Sequence, residues 1–196
     1  MKGWIAAALL IALAPASVWA QTVDYAKSQI TFAGKQMGVP TQGHFNRYSV
    51  NLKFDPKQPE TAKIEADIDL RSIDTGANET DTEVKKPAWL NISAFPNAKF
   101  VTDAVKQLAP GRYEASGKLS IKGIGQDVHI PFTAQATGDV TVFDGAFTLL
   151  RLQFKVGEGI WADTDTVANE VQVRFHLVAR GALERQAFAP VRRCLR

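Results

Sequence analysis

The sequence predicts an all-β protein in which eight antiparallel strands close into one barrel, with one short helix between two of them. Apolar and polar residues alternate with a period of two over most of the chain after residue 28, which is the pattern of a half-buried strand. Short turn-forming sequences separate the alternating segments, so consecutive strands are expected to lie antiparallel. The chain has 196 residues, which favours a single domain.

Eight segments carry the alternation or a comparable apolar run. They are 29–36, 43–54, 64–70, 98–108, 113–121, 128–136, 147–154 and 171–177. In the fifth of these, Tyr113 and Leu119 fall on one face while Glu114 and Lys118 fall on the other. Each such segment has one face to bury, so the strands must pack into a sandwich or a barrel.

Turn residues mark where one strand ends and the next begins. Pro56 and Pro59 interrupt the chain after the second segment, and Pro110-Gly111 separates the fourth from the fifth. The Asp-Gly pair at 144–145 is typical of a two-residue hairpin, so a turn is predicted there. Successive short links favour a meander, and closing a meander into a barrel removes its exposed edges.

One segment, 81–90, predicts a helix instead of a strand. Thr80 or Asp81 can cap its start, and Val84 and Ala88 share one helical face. Pro87 limits the helix to a short or kinked one. It falls in the longest gap between predicted strands, where the chain must cross over.

The two ends of the chain differ from its body. Lys2, an apolar stretch at 5–14 and small residues before position 21 predict a secretory signal peptide, 1–20, cut after Ala20; an uncleaved anchor is the alternative. Residues 181–196 form a basic tail, predicted to be disordered or to adhere weakly to anionic lipid. The single cysteine, Cys194, is an inert thiol or an intermolecular disulfide partner.

Sequence motifs for catalysis, metal binding and nucleic-acid binding are missing. His44, His129 and His176 make no metal-ligand spacing, and no nucleophile–base pair or phosphate loop is present. The formal charge of +3 comes from the two ends of the chain, so the body offers no basic stripe to nucleic acid. We therefore expect no enzyme activity, no catalytic residue and no metal site.

Several short pieces, in this order along the chain, resemble the YceI-like family. The pieces are Ser-Gln-Ile-Thr-Phe at 28–32, Ala-Phe-Pro-Asn-Ala-Lys-Phe at 94–100, Gly-Lys-Leu-Ser-Ile-Lys-Gly-Ile at 117–124 and Arg-Leu-Gln-Phe-Lys-Val-Gly at 151–157. Members of that family are periplasmic polyisoprenoid-binding proteins with a lipocalin-like barrel. The resemblance covers nearly the whole chain after the signal peptide, and predicts a lipid-binding barrel over 21–180.

The resemblance implies a periplasmic binding or carrier protein for a long-chain isoprenoid lipid of quinone or polyprenol type. The lipid would be the only ligand, with no cofactor, and contact with a membrane or a membrane redox protein would be transient. The alternative is a protein that binds no lipid and serves as a partner or assembly factor for a membrane redox protein.

Aromatic and aliphatic residues on the inward faces of the strands are the candidate wall of the lipid cavity. The wall set is Phe32, Phe45, Phe100, Leu119, Phe132, Phe154 and Phe175. Trp89 and Phe95 would close one end, and Arg151 would lie near the lipid head group because it interrupts an apolar run. For each phenylalanine, plain core packing is the alternative.

Overall fold

The structure, a computed structural model, describes residues 20–181 of the chain. The predicted signal peptide, except for Ala20, lies outside the described residues. So do Cys194 and the predicted basic tail, except for Gly181. No helix within the described part of the chain is both long and apolar enough to cross a membrane.

All strands of the described residues belong to one antiparallel sheet that curls on itself. They are β1 Thr22–Val23, β2 Gln29–Gln36, β3 Val39–Phe45, β4 Tyr48–Lys53, β5 Lys63–Asp69, β6 Ile73–Asp74, β7 Asn97–Ala109, β8 Arg112–Ile121, β9 Ile124–Thr137, β10 Val140–Leu150 and β11 Glu170–Arg180. Their order in the sheet is β4-β5-β7-β8-β9-β10-β11-β2-β3-β6, with β1 paired to β11. One α-helix, α1, spans Asn78–Val84.

The all-β prediction is confirmed, but the sheet has eleven strands where the alternation predicts eight, and β4 and β6 at its two ends do not pair, so it is a curled sheet and not the predicted closed barrel. The predicted segment 43–54 is split into β3 and β4 by a corner at Asn46 and Arg47. The other two additions, β1 and β6, contain only two residues each. Strands that short show no periodicity in sequence.

Residues 21–28, which we call the N-terminal strap, join β4 to β11 across the seam of the curled sheet. β1 pairs with the end of β11, and the Gln21 amide donates to the Leu52 carbonyl at 2.8 Å. The Tyr25 hydroxyl accepts a hydrogen bond from the Val50 amide at 3.1 Å. The strap therefore closes the sheet where β4 has no strand partner on that side.

The Asp-Gly pair predicts a hairpin that the structure does not contain. Asp144 and Gly145 lie in the middle of β10, and the turn between β9 and β10 falls at Gly138 and Asp139. Gly145 is needed for another reason, because a Cβ there would lie 2.3 Å from Phe175 Cζ. The end of the strand also differs: β10 stops at Leu150, and the predicted strand residues 151–154 form a short 3-10 helix.

The helix prediction is right in kind and shifted in place. α1 begins at Asn78 and ends at Val84, before Pro87, which cannot continue a helix. Asp81 does not cap it. Its carboxylate accepts hydrogen bonds from the amide and hydroxyl of Thr75, at 2.8 and 2.7 Å, and so fixes the turn that leads into the helix.

The inner face of the curled sheet carries two separate clusters of buried apolar residues. The larger contains Val23, Val50, Leu52, Phe54, Ala62, Val105, Tyr113, Ala115, Ile130, Phe132, Phe143, Leu177 and Ala179. The smaller contains Leu70, Ile73, Leu90 and Ala98 and lies where the irregular segment 70–96 meets the sheet. The buried apolar interior is therefore divided into two parts.

Candidate functional site

Four aromatic rings fill the interior at the end that carries the β7–β8 and β9–β10 turns, and we call them the aromatic plug. Phe54 meets Tyr113, Phe132 and Phe143 edge to face, with ring centroids 4.9, 5.9 and 5.4 Å apart. All four side chains are at most 6 % exposed. This end of the curled sheet is closed by contacts between rings, the arrangement of a packed core.

Beyond the plug, a second group of apolar side chains points to the same inner face but stays only half-buried. We call it the half-buried layer; it comprises Phe32, Ile64, Phe100, Val128, Phe147, Val173 and Phe175. Their strand neighbours confirm the shared face, since Phe147 pairs with Val173 and Val173 with Phe32. Apolar side chains of this size would be fully buried if other side chains filled the space beside them.

Three phenylalanine rings of this layer lie over glycines on neighbouring strands. A Cβ on Gly43 would lie 2.4 Å from Phe32 Cζ, and a Cβ on Gly145 would lie 2.3 Å from Phe175 Cζ. On Gly117 it would lie 3.0 Å from Phe100 Cε2. The missing side chains let the rings lie along the wall of the sheet. Rings in that position occupy less of the interior than rings that point towards its axis.

At the opposite end from the plug, three connecting segments are tied together, and we call them the cap: residues 85–96, the β8–β9 turn and residues 151–169. Lys122 of the turn donates to the Lys155 carbonyl at 2.8 Å and to Glu158 at 2.6 Å. The hydrogen bond from Lys122 holds the pKa of Glu158 below its usual value. Phe95 packs against Gly123, where a Cβ would lie 2.7 Å from the ring.

Arg151 holds the cap from inside. Its side chain is 2 % exposed. All five of its N–H groups go to backbone carbonyls, which are those of Val156, Gly157, Trp161, Val167 and Ala168, at 2.7–3.0 Å. Burial lowers the pKa of Arg151, although an arginine stays charged in proteins. No donor is left for a lipid head group, so the structure argues against the ligand role that the sequence predicts for Arg151.

Two aromatic side chains carry buried polar atoms that lack a hydrogen-bond partner within the described residues: the Tyr48 hydroxyl and the Trp89 Nε1. Trp89 lies in the cap, 5.5 Å from Trp161 between ring centroids and 5.8 Å from the Arg151 guanidinium. Tyr48 lies on the inner face of β4 and packs against the larger cluster. Burial raises the pKa of Tyr48, so the phenol keeps its proton and remains a donor.

A cavity of about 370 Å³ opens at the corner between β3 and β4, and we call it the corner cavity. It is lined by Tyr25, Ser28, Gln29, His44, Phe45, Asn46, Arg47 and Tyr48. A wider cavity of about 620 Å³ includes outward-facing residues of β9, β10 and β11, where His176 pairs with Asp144 at 2.6 Å. The corner cavity includes the inward-facing Phe45 and Tyr48, and the wider one includes Tyr113 and Phe132 of the plug and Phe175 of the half-buried layer.

The predicted wall residues do not form one uniform surface. Phe32, Phe100 and Phe175 belong to the half-buried layer, and Phe45 packs against Phe32 with ring centroids 5.4 Å apart. In contrast, Phe132 belongs to the plug. Leu119 on β8 is buried, and Phe154 is buried in the 3-10 helix Arg151–Phe154. Trp89 and Phe95 lie half-buried in the cap. Contact of any of them with a ligand stays a prediction.

Sequence reasoning did not identify Tyr48, Phe147 or Trp161 as candidate residues. Tyr48 and Phe147 were detectable, because each alternates with apolar residues of its own strand, such as Val50 and Leu149. Trp161 lies in an irregular segment and gives no such signal. Among residues 20–181, no group of three or more His, Cys, Asp or Glu side chains is placed to hold a metal ion.

The fold and the half-buried layer together define a one-sheet, all-β protein whose apolar face is turned inward. The model of the YceI-like domain matches residues 21–179. The chain belongs to the YceI-like family, as the sequence resemblance predicts.

Similar proteins agree with this assignment. The chain is 39% identical to Burkholderia cenocepacia BcnA, whose crystal structure it matches with a TM-score of 0.78 over 80% of this chain and 98% of that one. A UPF0312 protein of Shewanella sp. (strain MR-7) is 28% identical over 71% of this chain and 75% of its own length. A polyisoprenoid binding domain from Saccharophagus degradans is 14% identical, with a TM-score of 0.67 over 83% of this chain and 98% of that one, and shows the fold alone.

Proposed function

We propose that the protein binds a long-chain polyisoprenoid lipid, of quinone or polyprenol type, whose chain lies along the inner face of the curled sheet. We further propose that it works in the periplasm, as a carrier or store for a lipid that water does not dissolve. Family membership supports the class of ligand, since one structural neighbour is described as a polyisoprenoid binding domain.

The observation that carries the proposal is the half-buried layer with its rings laid over glycines. Phe32, Phe100 and Phe175 are apolar and face inward, yet no side chain covers them fully. Covering such surface with an isoprenoid chain gains roughly 25 cal/mol for each Å² of apolar area removed from water. A flexible, branched hydrocarbon chain suits a wall made of flat rings and aliphatic side chains.

The first experiment asks whether a lipid is present. The protein is purified from its native envelope fraction and extracted with organic solvent, and the extract is analysed by mass spectrometry. An isoprenoid in molar proportion to the protein is the expected result. Sequencing of the same sample should show a mature N-terminus at Gln21, and a retained Met1 would contradict export.

The second experiment changes the space inside the sheet. Gly145→Ala places a Cβ 2.3 Å from Phe175 Cζ and forces that ring off the wall into the interior. Lipid uptake by the stripped variant should fall several-fold. Gly125→Ala is the matched control, since its Cβ meets only side chains: the flexible Lys118, at 3.1 Å from Cδ, and Ser120, at 3.5 Å from Oγ.

Two results would contradict the proposal. One is an extract without isoprenoid together with no uptake by the stripped wild-type protein. The other is equal uptake by both glycine variants. The first would favour the alternative of a partner for a membrane redox protein.

A further inference from the structure

The ladder between β9 and β10 stops halfway, although both strands continue towards the cap. The two strands pair as far as Phe132 of β9 and Gly145 of β10. Beyond that pair, residues 124–131 of β9 and 146–150 of β10 do not pair with each other. On their other sides both stretches are fully paired, β9 with β8 and β10 with β11. We call this unpaired stretch the β9–β10 gap.

Pro131 explains where the ladder stops. Its carbonyl faces β10, since a Cβ on Gly145 would lie 2.9 Å from that oxygen. In an antiparallel ladder the nitrogen of a residue faces the same neighbour as its carbonyl, but proline has no N–H to donate. Within a sheet, proline therefore belongs at positions where no ladder bond is needed. A full rung between Pro131 and Ala146 cannot form, and the strands part there.

The β9–β10 gap opens onto the half-buried layer. Val128 of β9 and Phe147 of β10 flank it, and both face inward against the larger cluster yet stay only half-buried. The backbone groups along the two facing edges have no ladder partner among the described residues, so they turn to water. The wider cavity, of about 620 Å³, overlaps the start of the gap, because its lining includes Pro131 and Ala146 of the two edges as well as Phe175 of the layer.

Other parts of the wall are held shut by specific contacts. The aromatic plug closes one end with packed rings, and five hydrogen bonds from Arg151 hold the cap at the other. The strap joins β4 to β11 along the seam. A lipid that passes through an end or the seam must break these contacts. A chain that passes between β9 and β10 crosses no ladder, and one hydrogen bond, from Gln126 Nε2 to the Gln153 carbonyl at 3.3 Å, bounds the gap near the cap.

We propose that the β9–β10 gap is a lateral portal, through which the isoprenoid chain passes between the outside and the inner face of the sheet. This inference rests on the proposed function and names the route by which the lipid reaches the half-buried layer. A portal sets the barrier to uptake and to release alike, so obstructing it slows both and leaves the affinity unchanged. That property separates a portal from a wall that contacts the bound lipid.

The test attaches a bulky group beside the gap. Thr148 is exposed on the outer face of β10, where β9 is unpaired. Thr148→Cys in a Cys194→Ser background provides a single thiol, since Cys194 is the only cysteine in the sequence, and a polyethylene glycol maleimide alkylates it. The lipid-stripped protein then receives a long-chain isoprenoid quinone or a polyprenol from cyclodextrin. Uptake and release should both slow several-fold, with the amount bound at equilibrium and the melting temperature unchanged.

Asn51→Cys, alkylated in the same background, is the matched control. Asn51 is exposed on β4, which lies at the end of the strand order and away from β9 and β10. Its label should leave both rates unchanged. Unchanged rates with the Thr148 label, or equal slowing by both labels, overturn the portal, and slowing by the Asn51 label alone assigns the route to the seam.

A smaller amount bound at equilibrium with the Thr148 label also overturns the portal, because the label would then act on the binding wall. In each of these cases the lipid-binding function stands, since the unlabelled protein still takes up the probe. If the unlabelled wild type binds neither the quinone nor the polyprenol, the proposed function itself fails and this inference fails with it.

Discussion

The aromatic plug and the half-buried layer both consist of apolar side chains on the inner face of the same sheet, but their rings have different neighbours. In the plug, Phe132 and Phe143 meet other rings and are buried almost completely. In the layer, Phe100 and Phe175 meet glycines and stay only half-buried. The surroundings of an inward phenylalanine therefore depend on which side chains its ring reaches. The directly paired residue does not decide them, since Phe132 pairs with Gly145 and is still buried among rings.

The largest effect on stability is expected for the cap, which belongs to neither region. Substitution of Arg151 tests whether the cap depends on that side chain. Arg151→Met keeps an unbranched apolar stem but leaves five backbone carbonyls without their donor. We expect a loss of roughly 4 kcal/mol or more, because each unpaired buried group costs about 1–3 kcal/mol and water will reach some of them. Chemical denaturation measures it.

Arg174→Met is the control for Arg151, since Arg174 is exposed on β11 and bonds only to Gln172 within the described residues. It should change the free energy of unfolding by less than about 0.5 kcal/mol. Equal effects of the two substitutions would show that the carbonyl cluster does not depend on Arg151.

The next effect concerns the plug. Phe143→Ala removes a ring that is 2 % exposed and contacts Phe54 and Phe132. The free energy of unfolding should fall by about 3–5 kcal/mol, as for other buried phenylalanines. Lipid uptake for each folded molecule should not change. A selective loss of uptake at unchanged stability would mean that the plug, too, faces ligand.

A smaller effect on stability is expected in the half-buried layer. Phe100→Ala removes a ring that solvent already reaches, so the ligand-free protein should lose only about 1–2 kcal/mol, less than for full burial. Uptake of an isoprenoid should fall in the same variant. Thermal unfolding with and without lipid separates the two quantities. If Phe100→Ala costs as much as Phe143→Ala, side chains fill the interior and the distinction between the regions is wrong.

The smallest expected effect is a pH dependence of stability that comes from Asp69, the last residue of β5. Hydrogen bonds from the Arg71 side chain, with help from Arg47, lower the pKa of Asp69 to about 2 from an ordinary 3.8. Because the folded-state pKa is the lower one, this contribution to stability is present above about pH 4 and is lost as the pH falls through 2. Both arginines are more than half exposed, so solvent screening keeps the contribution below about 1 kcal/mol.

Asp69→Asn tests this pH dependence. Melting temperatures between pH 5 and pH 2 should fall less steeply for the variant than for the wild type. Parallel curves would show that the Asp69–Arg71 pair does not contribute to acid stability.

Much of the sheet could be predicted from the sequence because each long strand has one buried face. β2 has the predicted bounds. β8 begins one residue earlier than predicted and ends where predicted. The break between β3 and β4 was also readable, because the apolar positions change from odd at Phe45 to even at Tyr48. Alternation reports which residues point inward.

The candidate site was harder to predict because it depends on partners in other strands. Phe175 lies over Gly145 only through the register of β10 on β11, which no local pattern encodes. Arg151 interrupts an apolar run, which favours a ligand contact when the sequence is read alone. Its actual partners are carbonyls of irregular backbone in residues 156–168, and backbone carbonyls leave no trace in sequence.

The strap also ties the start of the described chain to its end. Thr22 pairs with Arg180, so the first strand and the last meet in the same ladder. Contacts between residues so far apart in the chain make folding slow, on the scale of milliseconds to seconds for β proteins. Until the strap docks, the outer edge of β4 and the end of β11 stay unpaired and the interior is open along the seam. Docking of the strap and sealing of the interior along the seam are therefore one event.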